Sequence, residues 1–195
     1  MKRILVTGSG GIGGVNFVRA LKIFQDEFFI VGTDFNKYYL QFADLDQRVI
    51  SPKHSDPNFI SLLNKLTEQH KIEFLHPQPS SEALVVSQNL DKISSKTLLP
   101  SSNIISNDKL ETQKILSTSG IAVAKTKTID NYDLIASAFD ELGGGPLWIR
   151  AKNGAGGNLS LLCDNPSEAE YWMKLWILRK KANFDDFMIQ QYLPK

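Results

Sequence analysis

The first hundred residues alternate short apolar runs with longer amphipathic stretches. Apolar runs at positions 4–6, 28–31, 49–50 and 74–75 predict four short strands. Apolar residues at helical spacing predict two helices, at Phe17, Val18, Leu21 and Phe24 and at Phe59, Leu62, Leu63 and Leu66. Because strands that alternate with helices form parallel sheets, we expect a Rossmann-like, doubly wound α/β domain over residues 1–103.

The pattern changes after residue 103. A helix is expected from about residue 106 to Gly120, and apolar spacing predicts another over 134–142. The segment LWIRAKNGAGGNLSLLC, residues 147–163, has two strand-like runs around a glycine-rich turn and predicts a β-hairpin. A further helix and a strand at FMIQQYL follow, so residues 104–195 are expected to form a small α+β domain.

Capping residues indicate where three helices begin. Asp56 and Pro57 are expected as the N-cap and first residue of the second helix. The helix that ends near Gly120 has a good capping residue at each of positions 106–108. Asn165 and Glu168 have the spacing of an N-cap and its third helical residue.

Composition limits the class of protein. The chain has 195 residues, 42% of them hydrophobic and 22% charged, with a net charge of +1, which is typical of a globular protein of one or two domains. Its basic residues are dispersed, so no nucleic acid is expected as a partner. The single cysteine and the lack of a long apolar run indicate a cytoplasmic protein with no membrane partner.

The segment ILVTGSGGIGG, residues 4–14, is typical of a dinucleotide-binding turn. Its glycines fit both G-x-G-x-x-G and the T-G-x-x-G-x-x-G variant of short-chain dehydrogenases and epimerases. Such glycines let a phosphate approach the start of a helix, and Asp34 follows where a ribose hydroxyl would be bound. An NAD(P)-dependent oxidoreductase or epimerase is therefore one alternative function.

The Tyr-x-x-x-Lys pair of those enzymes is missing. None of the five tyrosines has a lysine four residues later, and the nearest arrangement, Tyr171 and Lys174, is one residue short. Glycines in this turn also allow a helix and a strand to pack closely without any dinucleotide. We favour this second explanation.

Residues 147–163 give stronger evidence of a ligand-binding site. Trp148, Arg150 and Lys152 alternate onto one face of the predicted strand, directly before the turn NGAGG. A glycine hairpin with free backbone N–H groups, entered by two cations, suits a polyphosphate. An ordinary surface hairpin with solvated charges is the alternative.

Three segments in order resemble the ATP-grasp superfamily, in its carbamoyl-phosphate synthase large-subunit and biotin carboxylase branch. They are SNDKLETQKILSTSGIAVAKTKTI at 106–129, PLWIRAKNGAGG at 146–157 and FMIQQYLPK at 187–195. They follow a glycine-rich Rossmann-like domain, as in that branch. The resemblance covers the whole chain and implies an N-terminal domain followed by the first, ATP-lid part of an ATP-grasp domain.

The resemblance also implies an ATP site. Lys109 and Arg150, with Lys152, would hold the phosphates, and a glycine lid would fold over them. The lid residues are Gly154, Ala155, Gly156 and Gly157, and the hinge strand that pairs with the adenine edge is Gln190, Gln191, Tyr192 and Leu193. Most members have a glutamate where Gln190 or Gln191 stands, so the resemblance does not carry over that side chain's hydrogen bond to the amino or ribose groups of the nucleotide, whereas it still implies backbone pairing to adenine.

The implied activity is ATP-dependent ligation. A small-molecule carboxylate would be activated as an acylphosphate and attacked by an amine or ammonia, with magnesium on the phosphates. The N-terminal domain would help to bind this substrate, through the candidates Gly10, Gly11, Asp34, His76 and Glu82. The alternative for Glu82 is that it only opens a helix.

The resemblance implies that the catalytic residues and magnesium ligands lie C-terminal to the hinge, beyond Lys195. No acidic, His or Cys cluster in the sequence itself has metal spacing. This chain alone is therefore expected to be inactive. Three explanations are open: a shortened piece of a longer ligase, which we favour, a split subunit that needs a complementary C-terminal subunit, or a non-catalytic nucleotide-binding module. Self-association into a homo-oligomer is also expected from an unpaired hinge strand.

Overall fold

The computed structural model describes residues 1–24, 27–154 and 156–193. It divides into two compact units, unit 1 over Met1–Ser106 and unit 2 over Asn107–Lys195. This boundary lies three residues after the predicted one. Within the described ranges, no helix combines the length and apolar character needed to cross a membrane.

Unit 1 is built on a four-stranded parallel sheet with the order β3-β2-β1-β4. Its strands are β1 Lys2–Thr7, β2 Phe28–Asp34, β3 Gln47–Ile50 and β4 Phe74–Pro77. Its helices are α1 Ile12–Lys22, α2 Phe59–His70, α3 Ser80–Ser87 and α4 Ser102–Ile105, with 3₁₀ turns at Tyr39–Gln41 and Leu90–Lys92. The four predicted strands and two predicted helices are confirmed, whereas α3 and α4 had no clear periodic signal.

Both faces of this sheet are covered. Consecutive strand residues point to opposite faces, so Ile4 and Val6 pack with Val18 of α1, while Leu5 packs with Phe59 and Leu63 of α2. All of these side chains are buried. Each contributes about 1.5–3 kcal/mol when removed fully from water.

Helix α2 begins two residues later than the sequence predicts. Its N-cap is Asn58, and Asp56 forms the turn before it: the carboxylate of Asp56 accepts a hydrogen bond from the backbone N–H of Asn58 at 2.8 Å. The backbone carbonyl of Asp56 accepts from the N–H of Phe59 at 3.0 Å. The predicted cap at Asp56 is therefore wrong, because its side chain closes an Asx-type turn instead.

Unit 2 contains a four-stranded antiparallel sheet with the order β5-β8-β6-β7. Its strands are β5 Thr126–Lys127, β6 Leu147–Ala151, β7 Leu161–Cys163 and β8 Phe187–Gln191. Its helices are α5 Lys109–Thr118, α6 Leu134–Glu141 and α7 Pro166–Leu178, with a 3₁₀ turn at Phe184–Asp186. The predicted hairpin, its two flanking helices and the last strand are confirmed, and β5 was not predicted.

Helices α6 and α7 cover one face of this sheet. Phe139 and Met173 from these helices pack with Leu147, Ile149 and Ile189 from the strands in one buried cluster. Both predicted caps are confirmed, since the Asp108 side chain accepts from the N–H of Glu111 at 2.8 Å and that of Asn165 from the N–H of Glu168 at 3.1 Å. The sheet therefore has one apolar face, which α6 and α7 cover, and a second face that these helices leave uncovered.

The first glycine turn in unit 1 is packed tightly by its own chain. A Cβ added at Gly10 would lie 2.3 Å from the carbonyl carbon and oxygen of Tyr39, and one at Gly14 would lie 2.5 Å from the carbonyl oxygen of Gly8. Both contacts involve backbone, which cannot rotate away. Close packing therefore requires glycine at these positions whether or not a ligand binds.

Gly10→Ala is expected to destabilise unit 1 by about 1–3 kcal/mol, the usual range for an overpacked site. Gly11→Ala is the matched control, because its added Cβ would lie 3.5 Å from the nearest atom, the Gly8 carbonyl oxygen. Its free energy of unfolding should fall by less than that of Gly10→Ala, because Gly11 is the N-cap of α1 and its replacement costs only the difference between glycine and alanine as a cap. Urea unfolding measures both, and equal midpoints for the two variants would refute the tight contact with Tyr39.

Candidate functional site

The face of the unit 2 sheet that α6 and α7 do not cover carries the polar residues. In an antiparallel pair, residues directly opposite each other point to the same face. Gln190 on β8 is opposite both Thr126 on β5 and Trp148 on β6. Arg150 lies two residues after Trp148 and shares this face. Strand pairing therefore assembles these residues from three segments of sequence.

Gln190 connects the neighbouring strands through its side chain. Its Oε1 accepts a hydrogen bond from Nη1 of Arg150 at 2.9 Å, and its Nε2 donates to Oγ1 of Thr126 at 3.1 Å. Gln190 is only 6% exposed, so both bonds are shielded from water. The side chain of Arg150 is thereby fixed on the sheet.

Lys109 reaches the same end of β6 from helix α5. Its backbone N–H donates to the carbonyl of Lys152 at 3.0 Å. Its Nζ donates to the carbonyls of Lys152 at 3.2 Å and Gly154 at 2.8 Å. Asp108, the N-cap of α5, fixes the start of this helix. The sequence-predicted Lys109, Lys152 and Gly154 are therefore brought together.

The cations at this place have only neutral partners. Among the described residues, no carboxylate lies within salt-bridge distance of Lys109, Arg150 or Lys152. Burial lowers the pKa of Lys109 below its ordinary 10.5, and the positive charge of Arg150 lowers it further, against the opposing charge of Asp108. Nε of Arg150 is buried and has no hydrogen-bond partner in the described structure. The arrangement is suited to an anion.

The glycine loop after β6 is open, unlike the first glycine turn. Gly154, Gly156 and Gly157 have φ of +93°, +71° and +74°, a conformation that favours glycine. A Cβ built at any of the three would meet no atom within 4 Å. These glycines therefore serve backbone conformation rather than packing. Ala155, the fourth predicted lid residue, lies outside the described residues.

The predicted hinge, Gln190 to Leu193, begins within β8 and continues past its end. Gln191 is the last residue of the strand, and its backbone N–H already donates to the carbonyl of Lys125 at 2.8 Å. Tyr192 and Leu193 lie beyond the strand. The ring of Tyr192 lies 6.5 Å from that of Trp148, centroid to centroid. The hinge thus ends beside an aromatic side chain on the polar face.

In unit 1, the candidates Gly10 and Asp34 are bonded to each other. The N–H of Gly10 donates to Oδ2 of Asp34 at 3.1 Å, and that of Asn36 donates to Oδ1 at 2.9 Å. Asp34 is 4% exposed. Both of its carboxylate oxygens therefore hold the chain's own loop. The neighbouring candidate Gly11 is the N-cap of α1 and has no side-chain contact of this kind.

Glu82 on α3 is the most unusual acid in unit 1. It is 4% exposed, and its Oε2 has no hydrogen-bond partner among the described residues. Burial raises the pKa of Glu82 above its ordinary 4.5, the nearby Thr7 hydroxyl opposes this increase, and the negative charge of Asp34 adds to it. Near neutral pH its protonated form is thus more populated than that of an exposed glutamate.

His76 belongs to a different environment in unit 1. Its Nε2 lies 2.9 Å from Oε1 of Gln78, and its ring stacks on Phe17 of α1 with centroids 3.8 Å apart. Aromatic packing and a hydrogen bond therefore already account for its position.

Sequence reasoning missed Thr126 and the contact between Arg150 and Gln190. The only sequence signal for that contact is period-two alternation, which assigns each residue to a face but does not pair the strands. In the described part of the chain, no three His, Cys, Asp or Glu side chains are grouped as metal ligands.

No protein-family model matches the sequence, and no curated protein matches it. Solved structures do match over nearly the whole chain. N5-carboxyaminoimidazole synthetase from Staphylococcus aureus, complexed with ADP, has 17% identity and a TM-score of 0.65, covering 98% of this chain and 48% of that one.

Two further matches are similar in extent. The biotin carboxylase domain of 2-oxoglutarate carboxylase from Hydrogenobacter thermophilus, a dimer in complex with MgADP, ADP and bicarbonate, has 16% identity and a TM-score of 0.61, covering 98% of this chain and 44% of that one. L-amino acid ligase from Bacillus licheniformis has 10% identity and a TM-score of 0.62, covering 99% and 44%.

The chain spans less than half the length of each of these structures. They are ATP-grasp enzymes. This chain shares their fold over the part that it spans, with a parallel sheet in unit 1 and an antiparallel sheet in unit 2. At these identities the likeness shows the fold alone.

Proposed function

We propose that unit 2 binds the phosphates of ATP through Lys109 and Arg150. One observation carries this proposal. The charge of Arg150 lowers the pKa of Lys109, and no carboxylate of the described residues lies within salt-bridge distance of either cation. Holding like charges together is unfavourable, and an anion placed between them removes that cost. A polyphosphate supplies several oxygens for a lysine point charge and an arginine fork.

The neighbouring groups support a nucleotide rather than a simple anion. A Cβ built at Gly154, Gly156 or Gly157 would meet no described atom within 4 Å, and we propose that these glycines cover the phosphates as a lid together with Ala155. Lys152 adds a third positive charge. The hinge, Gln190 to Leu193, is proposed to receive the adenine. The matched structures of N5-carboxyaminoimidazole synthetase and the biotin carboxylase domain hold ADP or MgADP.

The whole protein is proposed to be an ATP-grasp ligase, similar to carbamoyl-phosphate synthase, that activates a carboxylate as an acylphosphate for attack by an amine or ammonia. Unit 1 would be the Rossmann-like domain that precedes the ATP-grasp domain. Magnesium would shield the phosphate charges when bound. The described residues do not group three metal-ligating acids, so no step is assigned to a metal held by them.

Unit 1 is proposed to contact the carboxylate substrate. Glu82 supports this proposal, since a buried acid with a raised pKa and an unpartnered oxygen can donate a hydrogen bond to a carboxylate. Gly10, Gly11, Asp34 and His76 remain the other candidates. Asp34 and Gly10 would act by holding the shape of the loop, because they already bond to each other.

Arg150→Ala and Lys109→Ala are each expected to weaken ATP binding by at least tenfold, about 1.4 kcal/mol. Each removes a charge from the phosphate site, and charged hydrogen bonds are the stronger class. Calorimetric titration of this chain with ATP measures the loss. Lys114→Ala is the matched control, because Lys114 lies on the same helix but pairs with Glu111 at 2.8 Å.

NADH tests the alternative function in the same experiment. The proposal is wrong if NADH binds more tightly than ATP and Asp34→Ala abolishes that binding. It is also wrong if Arg150→Ala binds ATP as well as Lys114→Ala does. In the complete protein, ATP binding without turnover would favour a non-catalytic module.

ATP affinity is expected to fall as pH rises through the lowered pKa of Lys109. The amine loses its charge on deprotonation, and this occurs below the ordinary value of 10.5 because of burial and Arg150. Lys109→Arg keeps its charge throughout and should bind with a much flatter pH profile. A wild-type affinity that stays constant up to pH 10.5 would contradict the charged role of this lysine.

Glu82→Gln is expected to remove a pH dependence of stability. The folded pKa of Glu82 is raised above the unfolded value of 4.5, so the folded state binds more protons and stability falls as pH rises from about 4.5 through the raised pKa. At pH values above that window, the neutral amide should raise the midpoint temperature of unfolding relative to the wild type. Thermal unfolding at several pH values measures this, with exposed Glu68→Gln as control; parallel profiles for the two variants would contradict it.

A further inference from the structure

The side chain of Gln190 has an unusual position between three strands. Strand β8 is flanked by β5 and β6, and Gln190 hydrogen-bonds to a side chain on each, Thr126 on one side and Arg150 on the other. Among the described residues of unit 2, it is the only polar residue that is buried. A buried amide that uses both ends in this way fixes its partners as well as itself.

The chemistry of the amide matters as much as its shape. Arg150 needs an acceptor, and the carbonyl end of Gln190 supplies one without a charge. A glutamate of the same size would accept from Arg150 and from the Thr126 hydroxyl equally well, yet it would cancel the charge of the guanidinium. A methionine would leave the charge and remove the acceptor. Glutamine alone among these three orients Arg150 and keeps its charge available.

We propose that Gln190 is a positioning residue that orients Arg150 toward the anion site while leaving the arginine charge uncompensated, so that the phosphate tail of the nucleotide becomes its counterion. This inference rests on the proposed function. It assigns to Gln190 an indirect role, since the amide acts through Arg150.

The electrostatics around Lys109 support the inference independently of any ligand. The facing charges are Asp108 on its own helix and Arg150 on β6, while its close partners are the carbonyls of Lys152 and Gly154. After burial, Arg150 is the larger influence, and it lowers the pKa of Lys109. A protein carboxylate paired with Arg150 would weaken that influence. The pKa of Lys109 therefore reports whether the arginine charge is compensated.

Gln190→Glu is the decisive variant. It should weaken binding of inorganic tripolyphosphate and of ATP by about tenfold, because the new carboxylate competes with the phosphates for Arg150. In the ligand-free protein it should raise the pKa of Lys109 toward its ordinary value. Titration by NMR of ¹³C-methylated lysines measures the pKa, with Lys109→Arg to assign the signal.

Gln69→Glu is the control, with the same change of charge at an exposed residue of helix α2 in unit 1. Gln69 belongs to no part of the proposed ATP site. Its tripolyphosphate affinity should change by less than about twofold. Gln190→Met is the neutral test of orientation. It should weaken binding without raising the pKa of Lys109.

The inference is overturned if Gln190→Glu binds tripolyphosphate as tightly as the wild type, if Gln69→Glu is weakened equally, or if Gln190→Met binds normally. Circular dichroism checks that each variant is folded. If Gln190→Glu does not fold, the tripolyphosphate affinity of Gln190→Met decides whether the inference holds. If the wild type binds neither ATP nor tripolyphosphate, the proposed function fails. The Lys109 titration in ligand-free protein then decides the charge claim separately: an unchanged pKa in Gln190→Glu overturns it, and a raised pKa supports it.

Discussion

The pairing of β8 with β6 and β5 is the interaction on which the candidate site depends. Alternation along each strand sends Ile149 and Ile189 into the helix-covered core and leaves Arg150 and Gln190 on the other face. A shift of one residue in this register would exchange the two sets and bury the arginine among apolar side chains. The same hydrophobic burial that stabilises unit 2 therefore determines where its positive charge lies.

Neutral groups hold this charge, and that choice has a physical consequence. Backbone carbonyls bind Lys109, and an amide binds Arg150. Dipoles of this kind orient a cation without cancelling its charge, whereas a carboxylate would do both. Burial, and then the neighbouring positive charge of Arg150, lower the pKa of Lys109, so holding both charges has an electrostatic cost. An anion that binds here relieves the repulsion and gains orientation already provided by the protein.

Much of the fold follows from local sequence, whereas the site does not. Apolar periodicity predicts the parallel-sheet elements of unit 1 and the hairpin of unit 2, and Asp108 and Asn165 cap helices as their side chains require. Asp56 has equally good capping chemistry, but its carboxylate closes a turn two residues earlier. The contact of Arg150 with Gln190 spans forty residues, and its third member, Thr126, lies on a two-residue strand with no periodic signal. Strand order depends on tertiary packing, so local sequence patterns do not predict which strands are paired.

The two glycine-rich turns show why a run of glycines in the sequence does not by itself indicate a ligand-binding loop. At Gly10 and Gly14 a Cβ would collide with backbone, so glycine is required by packing, and the nearby Asp34 carboxylate is used to close the loop. At Gly154, Gly156 and Gly157 a Cβ would meet no described atom within 4 Å, and the backbone adopts positive φ. Glycine is therefore required by packing at two positions of the first turn and by backbone conformation in the second. The sequence shows glycines in both turns, and only the surrounding atoms distinguish these two reasons.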